Sequence, residues 1–184
     1  MKKTILILLF CLPLFGFAQT APSLEFWNNL KTHCGKTYEG TITAGGKEGD
    51  GFVGEKLVMH VSSCSENNIR IPFFVGENKS RTWVLTLQED KRIQLKHDHR
   101  NPDGSEEEIT QYGGLSSNVG LPNLQMFPAD TETTAMLPAA ATNVWWITLD
   151  EKEFSYNLCR IGSDRVFTVV FNLTKEVENP GAPW

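Results

Sequence analysis

The sequence predicts an all-β chain: an antiparallel up-and-down β-barrel preceded by one short N-terminal helix. Three observations carry that prediction. Nine short β-like segments follow one another along the chain, clusters of Gly, Asn, Asp and Pro separate most of them, and only one segment repeats its apolar residues at helical spacing. Strands joined mostly by hairpins close into a barrel or curl into a sandwich, and a leading helix commonly plugs one end.

Residues 1–18 read as a secretory signal peptide rather than as part of the fold. Lys2 and Lys3 supply the positive start, Ile5 to Phe15 the apolar run, and Gly16-Phe17-Ala18 the small residues a peptidase reads, leaving Gln19 first. The apolar run is too short for a membrane span. Cys11 does not make a lipoprotein signal, because Phe10 stands where a small residue is needed. Removing 18 residues from 184 leaves about 166, enough for a single domain over 19–184 with a real core.

The helix is expected over Pro22 to Gly35, with Leu24, Trp27 and Leu30 on one face and Gly35 as its stop. The strands are expected at Thr37–Ala44, Phe52–Ser63, Ile69–Val75, Thr82–Gln88, Arg92–Arg100, Glu106–Tyr112, Val144–Leu149, Phe154–Ile161 and Arg165–Thr174. Between them, residues 113–141 lack clear periodicity. A stretch of that length is a functional loop or a missed strand, and we expect a loop or lid over the open end, with Leu124 to Phe127 as the one strand-like piece.

Charge and cysteines narrow the partners. The formal charge of −5 becomes −7 once Lys2 and Lys3 are removed, and no Lys/Arg stripe or polybasic segment stands out. Nucleic acid and an anionic membrane surface are therefore poor partners, and no stable membrane insertion is expected. A small molecule fits better, and nothing fixes the oligomeric state. Three cysteines follow the leader: Cys34, Cys64 and Cys159. An exported protein, periplasmic or extracellular, favours one disulfide. Cys34–Cys64 is preferred because both end early elements, and a loop of that length stabilises by roughly 3 kcal/mol. Cys159 falls within a strand pattern, as a small apolar side chain would. The odd count leaves the pairing open.

The segment Ile93-Gln-Leu-Lys-His-Asp-His-Arg100 is the most informative. Alternation sends Ile93, Leu95, His97 and His99 to one face and Gln94, Lys96, Asp98 and Arg100 to the other. Imidazoles in line with Ile and Leu head for the interior, where they need partners. Asn101-Pro-Asp-Gly104 suits a type I turn with a G1 bulge, which sets His99 opposite Glu107, Asp98 opposite Glu108 and His97 opposite Ile109. His97, His99 and Glu107 can hold a divalent metal such as zinc, form an acid–base pair, or make a satisfied polar network. Arg81 and Trp83, on one face of the preceding strand, can clamp an anion and stack on a ring, or can be a mouth residue and plain core. His60 faces ambiguously, His33 caps the helix, and one indole of Trp145-Trp146 points in. No Gly-x-Ser-x-Gly elbow, Gly-rich phosphate loop, Cys-x-x-Cys pair or His-Glu-x-x-His helix is present.

Cys34-Gly35 with Tyr38-Glu39-Gly40, Leu57-Val-Met-His-Val61, Ile71-Pro-Phe-Phe-Val-Gly76, Ser80-Arg-Thr-Trp83, Leu95-Lys-His-Asp-His-Arg100, Asp103-Gly104, Tyr112-Gly-Gly114, Phe127-Pro-Ala-Asp130 and Pro183-Trp184 resemble a family of exported bacterial proteins of uncharacterised function. The resemblance implies bacterial origin and a single domain, and brings no activity with it. By architecture the chain is similar to lipocalin-like (calycin) barrels, which says little about function. Three functions follow as expectations: a small-ligand-binding barrel using Arg81, Trp83, His97, His99 and Glu107; a metal-binding or acid–base protein using His97, His99 and Glu107; and an envelope protein without ligand.

Overall fold

The structure is a computed structural model and describes residues 20–184; the expected signal peptide lies outside them. Helix α1 (Pro22–Lys31) is followed by strands β1 (Thr37–Ala44), β2 (Leu57–His60), β3 (Ser63–Cys64), β4 (Asn68–Val75), β5 (Asn78–Leu87), β6 (Ile93–His99), β7 (Tyr112–Leu115) and β8 (Leu124–Pro128). Helix α2 (Thr131–Met136) precedes β9 (Asn143–Leu149), β10 (Glu153–Arg160) and β11 (Val166–Glu176). The sheet runs β7-β6-β5-β4-β2-β1-β11-β10-β9-β8, with the short β3 on β4. Every named pairing is antiparallel, and β1 meets β11, so the first and last strands join. This is the expected all-β barrel with a short helix.

Closure is nearly complete at the seam between β7 and β8. The Asp130 N–H donates to the Gly113 carbonyl (3.0 Å), and the Thr133 hydroxyl both accepts from the Gly113 N–H (2.7 Å) and donates to its carbonyl (2.9 Å). Lys96 on β6 reaches across to Asp130 (2.7 Å) and Glu132 (2.9 Å). A Cβ at Gly114 would collide with the Pro128 carbonyl oxygen, so only glycine lets the strand ends approach.

Alternation builds the core. Asn143, Trp145, Ile147 and Leu149 of β9 face in, as do Ile93, Leu95 and His97 of β6. Phe26, Trp27 and Leu30 of α1 are buried in the same cluster as Val61, Ile69 and Leu149, at one end of the barrel. Helix α1 has no side-chain N-cap, a loss of about 1 kcal/mol. Three fully buried side chains at about 1.5–3 kcal/mol each outweigh it. The disulfide Cys34–Cys64 ties the end of α1 to β3, as expected, with Cα atoms 6.2 Å apart. No described helix is long and apolar enough to cross a membrane.

Several expected elements differ. Leu24 is only half-buried and Phe26 takes its place in the core. The strand expected from Phe52 begins at Leu57, because Phe52 to Lys56 turn over the barrel mouth. Within residues 113–141 the strand-like Leu124 to Phe127 is β8, as expected, but the rest of the expected loop holds β7, α2 and a short 3-10 turn. The strand expected at Glu106–Tyr112 is absent apart from a bridge between Arg100 and Glu106. The Asn101–Gly104 turn is as expected: the Gly104 N–H donates to Asn101 O, and Gly104 has φ +84°. The Glu107 N–H still donates to His99 O (3.0 Å), but the ladder then skips to Gln111, at φ +57°, whose N–H donates to His97 O (2.6 Å). His97 therefore pairs with Tyr112 and not Ile109, which is 43% exposed, and Asp98 does not face Glu108.

Candidate functional site

The end of the barrel opposite α1 stays open. There a cavity of about 640 Å³ is walled by aromatic and cationic side chains from seven strands and two loops. β5 supplies Arg81 and Trp83, β6 His97 and His99, β4 Phe73, β7 Tyr112, β9 Asn143 and Trp145, and β10 Tyr156, Leu158 and Arg160. The β1–β2 loop adds Lys47, Asp50 and Phe52, and the β10–β11 turn adds Asp164 and Arg165. The expected lid contributes Leu137, while the β1–β2 loop and the β10–β11 turn make most of the rim. Phe52 reaches over the mouth, 6.2 Å from Phe73 and 5.0 Å from Phe167 between ring centres, and the Arg81 guanidinium lies 5.2 Å above its ring.

Deep in the cavity the two histidines serve separate hydrogen-bond chains. His97 Nδ1 is 2.9 Å from the Tyr112 carbonyl, which can only accept, so Nδ1 carries the proton. Nε2 then accepts from the Tyr156 hydroxyl at 2.6 Å. Burial pushes the His97 pKa down to about 3, so the ring is neutral at ordinary pH. Tyr156, equally buried, has its pKa raised well above the usual phenol value. The neighbouring Tyr112 ring stacks on His97 at 4.4 Å and 11°.

His99 forms the second chain. Its Nδ1 lies 3.5 Å from Glu107 Oε2, and its Nε2 lies 3.2 Å from the Tyr112 hydroxyl. A carboxylate accepts, so Nδ1 carries the proton there and Tyr112 donates to Nε2. Burial and then the Arg81 charge lower the His99 pKa, and Glu107 only partly offsets them. Burial raises Tyr112 to about 12, which keeps it a neutral phenol.

The expected cluster is therefore brought together in part. His97, His99, Arg81 and Trp83 line one cavity, while Glu107 stands behind His99. Trp83 is 2% exposed and lies parallel to Phe73 (4.8 Å) and to Tyr156 (4.3 Å), so protein rings already occupy its stacking surface. As for metal, both nitrogens of His97 are committed to protein partners. Among the described residues no three His, Cys, Asp or Glu side chains converge as a metal would require. His60 lies elsewhere, bonded to Thr37 Oγ1 (2.9 Å). His33 is no charged cap: burial and then Lys36 lower its pKa, and it meets the Tyr38 hydroxyl at 2.7 Å.

On the outer face, Asp98 is 1% exposed. Arg70 (2.6 Å) and Arg100 (2.8 Å) cover it, and Gln111 donates to it at 3.0 Å. Burial raises the Asp98 pKa, but the two guanidiniums outweigh it and hold the carboxyl below its ordinary value.

Sequence reasoning missed Phe52, Tyr112, Asn143, Tyr156, Arg160 and Arg165. Only the Arg and aromatic content of the strand ends signals them, since no local motif joins residues so far apart in the chain. Comparison with protein-family models, with curated proteins and with solved structures returned no match to this chain.

Proposed function

We propose that this chain is an exported small-molecule-binding barrel whose ligand enters the mouth cavity. The observation that carries the reading is the cavity itself: about 640 Å³ open at one end of a barrel otherwise filled by aromatic and aliphatic side chains. That volume falls in the range of about 300–1,000 Å³ typical of ligand pockets, and its mix of aromatic walls with a few placed polar groups is what such pockets use. The His97 and His99 networks support rather than oppose it. They satisfy the buried polar atoms and so hold the wall rigid. Export is supported by the Cys34–Cys64 disulfide, which persists in oxidising compartments.

Native mass spectrometry of the mature, untagged protein tests the reading, with Leu158→Trp as a variant that fills the cavity. The expected result is a small-molecule adduct, carried through purification or taken up from a metabolite extract, that Leu158→Trp loses. No adduct under either condition would contradict it. Near-stoichiometric metal that disappears in His97→Ala/His99→Ala would move the assignment to a metal protein.

A further inference from the structure

The charges around the mouth are not distributed like those of the rest of the protein. The chain carries a net −5. The cavity wall nevertheless holds Lys47, Arg81, Arg160 and Arg165 against only Asp50 and Asp164. Asp50 is turned to its own loop, where the N–H groups of Lys47 (2.8 Å), Phe52 (2.8 Å) and Val53 (3.2 Å) donate to it. Among the described residues no carboxylate lies within ion-pair distance of Arg81, Arg160 or Arg165.

Two of these arginines are also held in place. Arg81 rests on the Phe52 ring, and Arg160 Nε donates to Asn143 Oδ1 at 2.9 Å, which leaves its terminal nitrogens for other acceptors. Arg165, exposed on the β10–β11 turn, adds a third guanidinium to the rim of the same cavity. Below this cationic rim the wall turns aromatic, with Phe73, Tyr112 and Trp145. Positioned, unpaired guanidiniums above an apolar shaft recognise a molecule with the same division.

We infer that the cavity takes an amphipathic aromatic anion, its carboxylate, sulfonate or phosphate held at the rim by Arg81, Arg160 and Arg165 and its rings inserted into the apolar shaft beside Tyr112. This rests on the ligand-binding reading and adds charge and orientation to it. The positive mouth also draws such an anion toward an otherwise acidic protein.

A matched pair of fluorescent probes tests it: 8-anilinonaphthalene-1-sulfonate, and N-phenyl-1-naphthylamine, which has the same rings without the sulfonate. The expected result is one-to-one binding, with the sulfonate at least about tenfold tighter. Arg81→Gln should weaken the sulfonate by about 10–100-fold and leave the neutral probe within a few-fold. Arg165→Gln, at an exposed position, should weaken the sulfonate alone. Equal or tighter binding of the neutral probe would overturn the anion inference while leaving a ligand cavity standing. Sulfonate affinity unchanged in both arginine variants would also overturn it. Binding of neither probe would contradict the cavity reading together with the inference.

Discussion

Acid should destabilise this barrel through His97 by an amount that a single substitution isolates. The ring is buried, and both nitrogens serve the Tyr112 carbonyl and the Tyr156 hydroxyl, so protonation would cost the Tyr156 bond and place a charge among aromatic side chains. Its folded pKa is about 3, against 6.5 unfolded. Between those values the unfolded chain binds a proton that the folded chain refuses. Stability therefore rises with pH through the window and is lost as pH falls below about 6.5. Integrating at about 1.4 kcal/mol per unit gives a His97 contribution of about 2.5 kcal/mol lost between about pH 7 and pH 4.5. His97→Asn keeps a donor for Tyr112 but has no titrating ring. At neutral pH it should cost about 2–4 kcal/mol, for the orphaned Tyr156 hydroxyl and the space left behind. Urea unfolding of both proteins at the two pH values yields the double difference. Groups remote from His97 respond alike in both proteins and cancel. The wild type should lose about 2.5 kcal/mol more than His97→Asn over that interval. Equal losses would refute the claim that His97 is held neutral inside the barrel.

Three further outcomes follow from the scaffold. Cys34→Ser/Cys64→Ser should lower unfolding stability by about 3–4 kcal/mol, the chain entropy of a loop of that length, measured by urea unfolding. Gly114→Val should open the β7–β8 seam, because its side chain would meet the Pro128 carbonyl, and hydrogen exchange should speed first at the amides of Gly113 and Asp130. Asp98→Asn leaves Arg70 and Arg100 facing each other without their shared carboxylate, and should cost about 2 kcal/mol by thermal unfolding while sparing ligand affinity.

Most of the barrel is legible because its strands keep the period of two. Thr37–Ala44 is bounded as the pattern predicts, and the cores of β4 to β6 and β9 to β11 follow alternation to within a few residues. β8 shows in the sequence only as the strand-like Leu124 to Phe127, because its burial runs against its polarity. Gln125 is buried, its amide donating to Val119 O and Leu121 O, while Met126 is 46% exposed. β7 is hidden because Gly113 and Gly114 look like loop residues, although close approach at the seam is what demands them. The break after Glu107 was unreadable for a different reason. Thr110 takes the His99 N–H with its hydroxyl (2.7 Å), a side chain standing in for a backbone partner. For the site, alternation placed His97, His99, Arg81 and Trp83 correctly on the inner face. It had no means to reach Arg160, Arg165 or Phe52, which only barrel closure brings to the same mouth.

The central claim, that the mouth cavity is a ligand site, is tested most directly by amide chemical-shift mapping of the folded mature protein during titration with 8-anilinonaphthalene-1-sulfonate. The account predicts saturable changes at one-to-one stoichiometry, concentrated at Phe52, Arg81, His99, Asn143 and Arg165, with β2, β3 and α1 unmoved. Changes gathered instead around the exposed Leu121 and Met126, or none at saturating probe, would contradict it.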